Sequence, residues 1–145
     1  MSILLVEDDY NDVLLIRRAF SKAQIKTPMI EVGDGDEAIA YLNREGKYAD
    51  VETYPCPLLV LLDLKLPRRS GLEVLEWIRQ RPVLKRLLVV VLTSSQENSD
   101  LDRAYDLGTN SYLVKPVDFQ DFVSLIEIVD TYWLGCNQPP KICAD

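Results

Sequence analysis

The chain of 145 residues contains no histidine. Catalysis through an imidazole, as in a Ser-His-Asp triad, and metal binding through histidine are therefore excluded. The three cysteines, Cys56, Cys136 and Cys143, are scattered and form no C-x-x-C pair. We therefore expect neither a disulfide framework nor a zinc site, and this cysteine usage is typical of a reducing cytoplasm.

Long apolar runs and an excess of basic charge are also missing. No stretch approaches the roughly 20 apolar residues that a membrane span needs. No basic segment precedes the first apolar run, so we expect no signal peptide. The formal net charge of −7 argues against nucleic acid and against an anionic membrane surface as partners.

Hydrophobic residues make up 48% of the chain, enough for one domain with a sizeable core. They form short continuous runs, which are typical of strands covered on both faces of a parallel sheet. The predicted strands are residues 3–6, 29–32, 58–62, 87–92 and 111–114. The predicted helices are residues 10–23, 36–44, 71–80 and 99–107, with a last helix from about 119 to 133. The alternation predicts an α/β fold with a doubly wound, five-stranded parallel sheet over residues 1–134, followed by a C-terminal tail, residues 135–145.

Local signals support several of these boundaries. Asp9 and Asp118 are expected to cap the first and last helices. Ser70 lies three residues before Glu73, which is the spacing of a capping box. Gly108 is expected at the end of the fourth helix. The polar connection over residues 45–57 is long enough for an excursion across the surface.

Carboxylates follow two of the strongest strands at the point where each ends. Glu7 and Asp8 follow the first strand, and Asp63 follows the third. Because ligands of open parallel sheets bind at the carboxyl ends of the strands, these acids are expected to share one pocket with Thr93 and Lys115. Two carboxylates ~4 Å apart repel by about 4 kcal/mol at an effective dielectric of 20. Mg²⁺ would remove that repulsion, and a hydroxyl and a lysine could then hold phosphoryl oxygens.

Each of these residues also has an ordinary structural interpretation. Glu7 and Asp8 could serve the N-terminus of the first helix, and Asp63 could be a turn residue. Thr93 could simply end a strand, and Lys115 could be a solvated lysine. Only their joint placement at the strand ends of one sheet points to a site.

Motifs in this order resemble the receiver domain of two-component response regulators. They are Leu5-Val6-Glu7-Asp8-Asp9, Leu61-Leu62-Asp63-Leu64-Lys65-Leu66-Pro67 with Gly71 following, Leu92-Thr93-Ser94, and Tyr112-Leu113-Val114-Lys115-Pro116. The resemblance spans residues 3 to about 133 and implies a flavodoxin-like fold with strand order 2-1-3-4-5. It also implies a function: a phosphoryl group passes from a sensor histidine kinase to the receiver, which signals through protein contact.

The resemblance also implies roles for individual residues. Asp63 would be the phosphoacceptor, and Thr93 and Lys115 would bind the phosphoryl group. Mg²⁺ would be held by Asp8, Asp63 and the backbone carbonyl of Lys65, with Glu7 acting through a water molecule. Thr93 and Tyr112 would form the conformational switch. The Lys115–Pro116 bond would be cis, as is usual in this family.

A narrower resemblance concerns residues 104–112 and the ending Tyr132-Trp133-Leu134, which are similar to cyanobacterial phytochrome-associated regulators. It implies a phytochrome as the kinase partner. With no output domain expected after residue 133, the protein would act by contact with other proteins.

The last helix carries more apolar surface than one core-facing stripe needs. Beside the expected core stripe lies a second apolar set, Leu125, Ile128 and Tyr132. We expect this set to form a homodimer interface, which the fourth helix and fifth strand could extend. The alternative is that the tail folds back and covers it.

Two enzymatic functions remain as alternatives. A Mg²⁺-dependent phosphohydrolase would use Asp63 as nucleophile. Many such enzymes have a second acid two residues later, where this chain has Lys65. Serine hydrolysis by Ser94 or Ser95 with Lys115 as base is weaker, because nothing resembles an oxyanion loop. Some self-dephosphorylation is expected of any aspartyl phosphate.

The acid cluster yields a prediction about stability. Without metal, Asp63→Asn or Asp8→Asn should stabilise the fold by on the order of 1–3 kcal/mol if carboxylate repulsion dominates. Denaturant titration in a chelator measures the change. Clear destabilisation by both substitutions would contradict the predicted pocket.

Overall fold

The fold is a five-stranded parallel sheet flanked by helices on both faces. The structure is a computed structural model, and it describes residues 2–143. The strands within that range are β1 (Ser2–Val6), β2 (Met29–Val32), β3 (Pro57–Leu62), β4 (Leu88–Thr93) and β5 (Ser111–Val114). Their order in the sheet is β2-β1-β3-β4-β5. This confirms the predicted fold class, and each strand lies within about a residue of its predicted position.

Helices alternate with the strands as predicted. The α-helices within residues 2–143 are α1 (Tyr10–Lys22), α2 (Gly35–Leu42), α3 (Gly71–Arg79), α4 (Asn98–Asp106) and α5 (Phe119–Val129). A 3₁₀ helix, Gly46–Ala49, lies in the long connection before β3. The last helix does not stay α-helical to residue 133, because a π-helical segment, Asp130–Cys136, follows α5 directly. No helix among the described residues is long and apolar enough to cross a membrane.

Both faces of the sheet are buried, which explains the continuous apolar runs. Ile3 and Leu5 of β1 point to one face and belong to a core that includes side chains of α1 and α5. Leu4 and Val6 point to the other face and belong to a core that includes side chains of α2 and α3. A strand that packs on both sides needs apolar residues at every position, so its first polar residue marks its end.

The predicted caps are present. The carboxylates of Asp9 and Asp118 accept hydrogen bonds from backbone amides in the first turns of α1 and α5. Ser70 and Glu73 form the predicted capping box at the start of α3. Gly108 follows the end of α4 with a φ of +94°, a conformation that suits glycine.

Gly71 fixes the start of α3 against the end of β3. A Cβ at this position would lie 2.1 Å from the carbonyl oxygen of Asp63. The Gly71 amide donates a 2.9 Å hydrogen bond to the carbonyl of Leu64. Only glycine allows this approach, which holds the backbone around Asp63 in place.

The cysteines differ from the expectation, because Cys56 and Cys143 form a disulfide across 87 positions of sequence. The absence of a C-x-x-C spacing did not reveal it, since the tail folds back to the beginning of β3. The predicted tail, residues 135–145, includes residues 144 and 145, which lie outside the described residues. Because two of the cysteines form a disulfide, the cysteine pattern no longer supports a reducing compartment.

Candidate functional site

The carboxyl ends of β1, β3, β4 and β5 bring the predicted site residues together. Glu7, Asp63 and Thr93 are buried, with 3%, 8% and 0% of their surfaces exposed, whereas Asp8 is exposed. Carboxylate oxygens of Glu7, Asp8 and Asp63 all lie within 4.8 Å of one another. The three acids predicted from the strand ends therefore lie together, and Thr93 ends the neighbouring strand β4.

Lys115 is the cation at the centre of this pocket. Its ammonium nitrogen lies 2.5 Å from Glu7 Oε1, 2.8 Å from Asp12 Oδ2 and 3.2 Å from Asp63 Oδ2. Its side chain is only 6% exposed. An ammonium group with three donors is thus matched to three carboxylate acceptors. The sequence alone also allowed Lys115 to be an ordinary solvated lysine, and its burial excludes that interpretation.

Asp12 is a site residue that sequence reasoning missed. It lies in the first turn of α1, four residues after Asp8, and its side chain is 29% exposed. Positions four apart share a helix face, so an acid one turn beyond a strand-end acid can point back over the pocket. The spacing of four residues between Asp8 and Asp12 was the sequence signal that could have identified Asp12 as a site residue. It did not identify Lys115 as the partner, because the two residues are 103 positions apart.

Burial and mutual repulsion control the protonation of the pocket. Burial raises the pKa of Glu7 from 4.5 to about 7; the negative charge of Asp63 adds to this rise, and Lys115 only partly offsets it. Burial lowers the pKa of Lys115, but hydrogen bonds to Asp12 and Glu7 outweigh that effect and raise it above its ordinary value. Lys115 therefore stays charged, while Glu7 exchanges its proton near neutral pH.

The oxygen atoms of this pocket suit a hard divalent cation. The clustered donors of Glu7, Asp8 and Asp63 are carboxylate oxygens, the ligand type that Mg²⁺ prefers. One lysine does not neutralise these acids together with Asp12, so an added cation would relieve the remaining repulsion. The donor set therefore fits the predicted metal.

Thr93 and Tyr112 both contact the segment that follows β4. The Thr93 hydroxyl accepts a 3.3 Å hydrogen bond from the Ser95 amide. The Tyr112 hydroxyl donates a 3.1 Å hydrogen bond to the Ser95 carbonyl, and its half-buried ring packs near Leu64, Val91 and Ala104. Ser95 thus links the two residues predicted to form a switch.

The side chain of Lys65 connects the pocket to α4. Its ammonium group lies 3.3 Å from Asp100 Oδ2, and Asp100 also accepts a 2.6 Å hydrogen bond from the Ser95 hydroxyl. The lysine therefore pairs with α4 and does not reach over Asp63. Its backbone carbonyl stays a predicted metal ligand.

One expectation about the backbone is wrong. No cis peptide bond occurs within residues 2–143, so Lys115–Pro116 is trans. The trans form is the intrinsically favoured isomer even before proline. Lys115 reaches all three carboxylates with this geometry.

The contacts of Lys115 refine the stability prediction. Asp63→Asn would remove an ion pair as well as repulsion, so the two effects oppose each other. Asp8 has no such pair with Lys115 among the described contacts, but its exposure screens its charge. Asp8→Asn is therefore the cleaner test, and we expect it to raise the free energy of unfolding by about 1 kcal/mol.

The pKa of Glu7 predicts how stability depends on pH. Without divalent metal, the folded protein should hold the Glu7 proton between pH 4.5 and about 7, where the unfolded chain has lost it. The free energy of unfolding should therefore fall as pH rises through this window, by at most about 1.4 kcal/mol per pH unit. Glu7→Gln should flatten that part of the profile, measured by denaturant titration in a chelator. The exposed control Glu52→Gln should keep the wild-type slope, and an unchanged slope in Glu7→Gln would contradict the assignment.

Comparison with known proteins identifies the family. Residues 3–127 match the response regulator receiver domain. The chain is 40% identical to Response regulator Rcp1 of Synechocystis over 91% of this chain and 88% of Rcp1. It is 42% identical to the Probable methanogenesis regulatory protein FilR2 of Methanothrix harundinacea, over 95% of this chain and 86% of FilR2.

Solved structures agree with the sequence relatives. The phosphorylated cyanobacterial phytochrome response regulator RcpA superposes with a TM-score of 0.89 at 38% identity, over 97% of this chain and 98% of RcpA. The Mn²⁺-bound form of Rcp1 superposes with a TM-score of 0.86 at 38% identity, over 97% of this chain and 99% of Rcp1. With the strand order and the pocket described above, these matches lead to one conclusion: the chain belongs to the response regulator receiver domain family.

Proposed function

We propose that Asp63 accepts a phosphoryl group from a phosphohistidine of a sensor histidine kinase, and that the phosphorylated chain signals by contact with other proteins. The observation that carries this proposal is the convergence of Lys115, Glu7 and Asp63 in one buried pocket at the end of the sheet. The chain lacks histidine, so the donor imidazole must belong to a partner.

Mg²⁺ is part of this proposal. Asp8, Asp63 and the backbone carbonyl of Lys65 would hold the ion, and Glu7 would act through a water molecule. When bound, the ion would neutralise phosphoryl oxygens as well as the acids. The clustered carboxylates support this assignment, and the relative Rcp1 has a Mn²⁺-bound form.

The residues of this chain would position the reactants. A carboxylate oxygen of Asp63 forms the new bond to phosphorus as the bond from phosphorus to the donor imidazole breaks. Lys115 moves from Asp63 to the phosphoryl oxygens, and Asp12 remains beside it as a partner at 2.8 Å in the resting state. The Thr93 hydroxyl donates a hydrogen bond to another phosphoryl oxygen.

The signal would then travel through Ser95. When Thr93 turns toward the phosphoryl group, the segment that follows β4 moves with it, because the Ser95 amide bonds to Thr93. Tyr112 and Asp100 bond to the same serine and would rearrange in turn. The surface around α4 and β5 would change as a result.

A signalling role is favoured over the phosphohydrolase. The position two residues beyond Asp63 is Lys65, whose ammonium group pairs with Asp100 and offers no acid. Some self-dephosphorylation of Asp63 belongs to the proposal, because an aspartyl phosphate hydrolyses in water. This loss differs from the activity of a phosphohydrolase, which would turn over external phosphate esters.

A phytochrome is the kinase that we propose as partner. Rcp1 and RcpA support it, since RcpA is a phytochrome response regulator and both share 38–40% identity with this chain. FilR2, a probable methanogenesis regulatory protein, is equally similar, so the kinase must be tested directly. A cytoplasmic location goes with the proposed kinase.

Phosphorylation in vitro tests the acceptor. Incubation of the full chain with acetyl phosphate and Mg²⁺ should add one phosphoryl group, detected by intact mass. Asp63→Asn should abolish the adduct. The matched control Asp9→Asn should keep it, because asparagine also caps a helix and Asp9 points to backbone amides of α1. Equal labelling of Asp63→Asn and the wild type would refute the assignment.

We also propose that the second apolar set of the last helix forms a homodimer contact. Ile128 and Tyr132 are 63% and 51% exposed. The tail, as far as Cys143, does not cover them, since it is tied to Cys56 at the start of β3. Leu125 contributes less than predicted, because it is half-buried against the core shared by α1 and α5. The contact therefore centres on Ile128 and Tyr132.

Sedimentation velocity tests this contact. The wild type should be dimeric at tens of micromolar, and Ile128→Glu should raise the dissociation constant at least tenfold, because it places a charge in an apolar contact. Val83→Glu is the matched control, since Val83 is also exposed (67%) but lies between α3 and β4. A monomeric wild type, with and without phosphorylation, would reject the contact.

A further inference from the structure

The disulfide lies at the end of the sheet opposite the acidic pocket. Cys56 comes directly before β3, whose other end carries Asp63. Cys143 lies in the tail, and the two Cα atoms are 6.2 Å apart, within the usual range for a disulfide. The bond therefore ties the tail to the amino end of the sheet.

Cys56 is held in place independently of the bond. It stands between Pro55 and Pro57, which restrict the backbone on both sides. The Tyr41 hydroxyl donates a 2.7 Å hydrogen bond to the Pro55 carbonyl, and Arg44 donates to the carbonyl of Tyr54. The thiol of Cys56 would thus keep its position in the reduced protein.

The tail packs on the core at one residue and leaves an open groove beside it. Ile142 is half-buried and packs against the core between the sheet and α2 and α3. Beside it, an open groove of about 610 Å³ remains between the tail and the connection that precedes β3. Residues from both segments and from the start of β3 line it, among them Val51, Leu58, Pro139 and Pro140. Packing beside the disulfide is therefore incomplete, and solvent or a small thiol can enter the groove next to Cys143.

We propose that the Cys56–Cys143 disulfide is a reversible latch, closed by oxidation and opened by reduction, that straps the tail to the start of β3. This inference rests on the proposed cytoplasmic location, a reducing compartment in which disulfides are usually catalytic or redox-sensing. A half-buried pair beside an open groove is accessible to thiol exchange. The chain beyond the π-helical segment that carries Tyr132 would then be covalently tied to β3 only in the oxidised protein.

Glutathione can carry out both directions of the exchange. In closing, the Cys143 thiolate attacks glutathione disulfide, forms a mixed disulfide and releases one glutathione thiolate. The Cys56 thiolate then attacks the Cys143 sulfur of that mixed disulfide and releases the second glutathione. Two protein thiols are oxidised, one glutathione disulfide is reduced to two thiols, and their protons balance. Opening runs the same steps in reverse.

A redox titration of the full chain tests the latch. The protein is equilibrated in buffers of varied glutathione to glutathione disulfide ratio, and free thiols are alkylated and counted by intact mass. Fully oxidised protein should show one reactive thiol, Cys136, and fully reduced protein three, with the same curve approached from either side. Cys136→Ser should shift both counts down by one without moving the midpoint, whereas Cys143→Ser should remove the transition.

Limited trypsin digestion reports whether the tail is released. Cleavage after Lys141 in the reduced protein should remove residues 142–145, and oxidation should slow it at least tenfold. Any oxidised protein that is cut should keep the fragment through the disulfide and gain one water in mass. Cys143→Ser should be cut at the reduced rate in both buffers.

Three results would overturn the latch. The first is pairing of Cys136 with either other cysteine in place of the Cys56–Cys143 bond. The second is a Cys56–Cys143 bond that glutathione does not reduce in the native protein, which would make it a permanent cross-link. The third is trypsin cleavage at equal rates in both redox states.

Discussion

The ion pairing of Lys115 is the interaction on which the site depends. A single buried ammonium group contacts carboxylates from the ends of β1, α1 and β3. Without it, buried acids would repel one another in a poorly solvated pocket, and the ends of the strands would tend to separate. The lysine only partly compensates, as the raised pKa of Glu7 shows. The pocket is thus stable enough to fold and still short of positive charge, which is the condition that favours the binding of a metal ion.

The rest of the fold supplies fixed positions for these charges. Strands buried on both faces hold the strand ends in register, and Gly71 lets α3 begin against the backbone of Asp63. The more adaptable contacts lie on one side, where Ser95 bonds to Thr93, Tyr112 and Asp100. A rigid pocket beside an adjustable segment allows a local change of charge to become a change of surface. The redox latch, at the amino end of the same β3, would act on the tail without touching this pocket.

Much of this arrangement could be predicted from the sequence, for a physical reason. Strands that are apolar at every position end at their first polar residue, so the residue order alone places Glu7 and Asp63 at one edge of the sheet. What depends on tertiary contacts between distant residues could not be predicted. Asp12 meets Lys115, Lys65 meets Asp100 and Cys56 meets Cys143 only after the chain has folded, and no local pattern encodes such partners. The trans Lys115–Pro116 bond shows that a family resemblance can also mislead about local geometry.

Titration of stability with Mg²⁺ tests the central claim most directly. If the pocket is short of positive charge, the free energy of unfolding should rise with Mg²⁺ concentration, by about 1.4 kcal/mol for each tenfold increase above the dissociation constant. Asp8→Asn should lose most of that rise, and Asp34→Asn, an acid outside the pocket, should keep it. A wild-type stability that stays constant up to tens of millimolar Mg²⁺ would contradict the account, because the acids would then be satisfied by Lys115 alone.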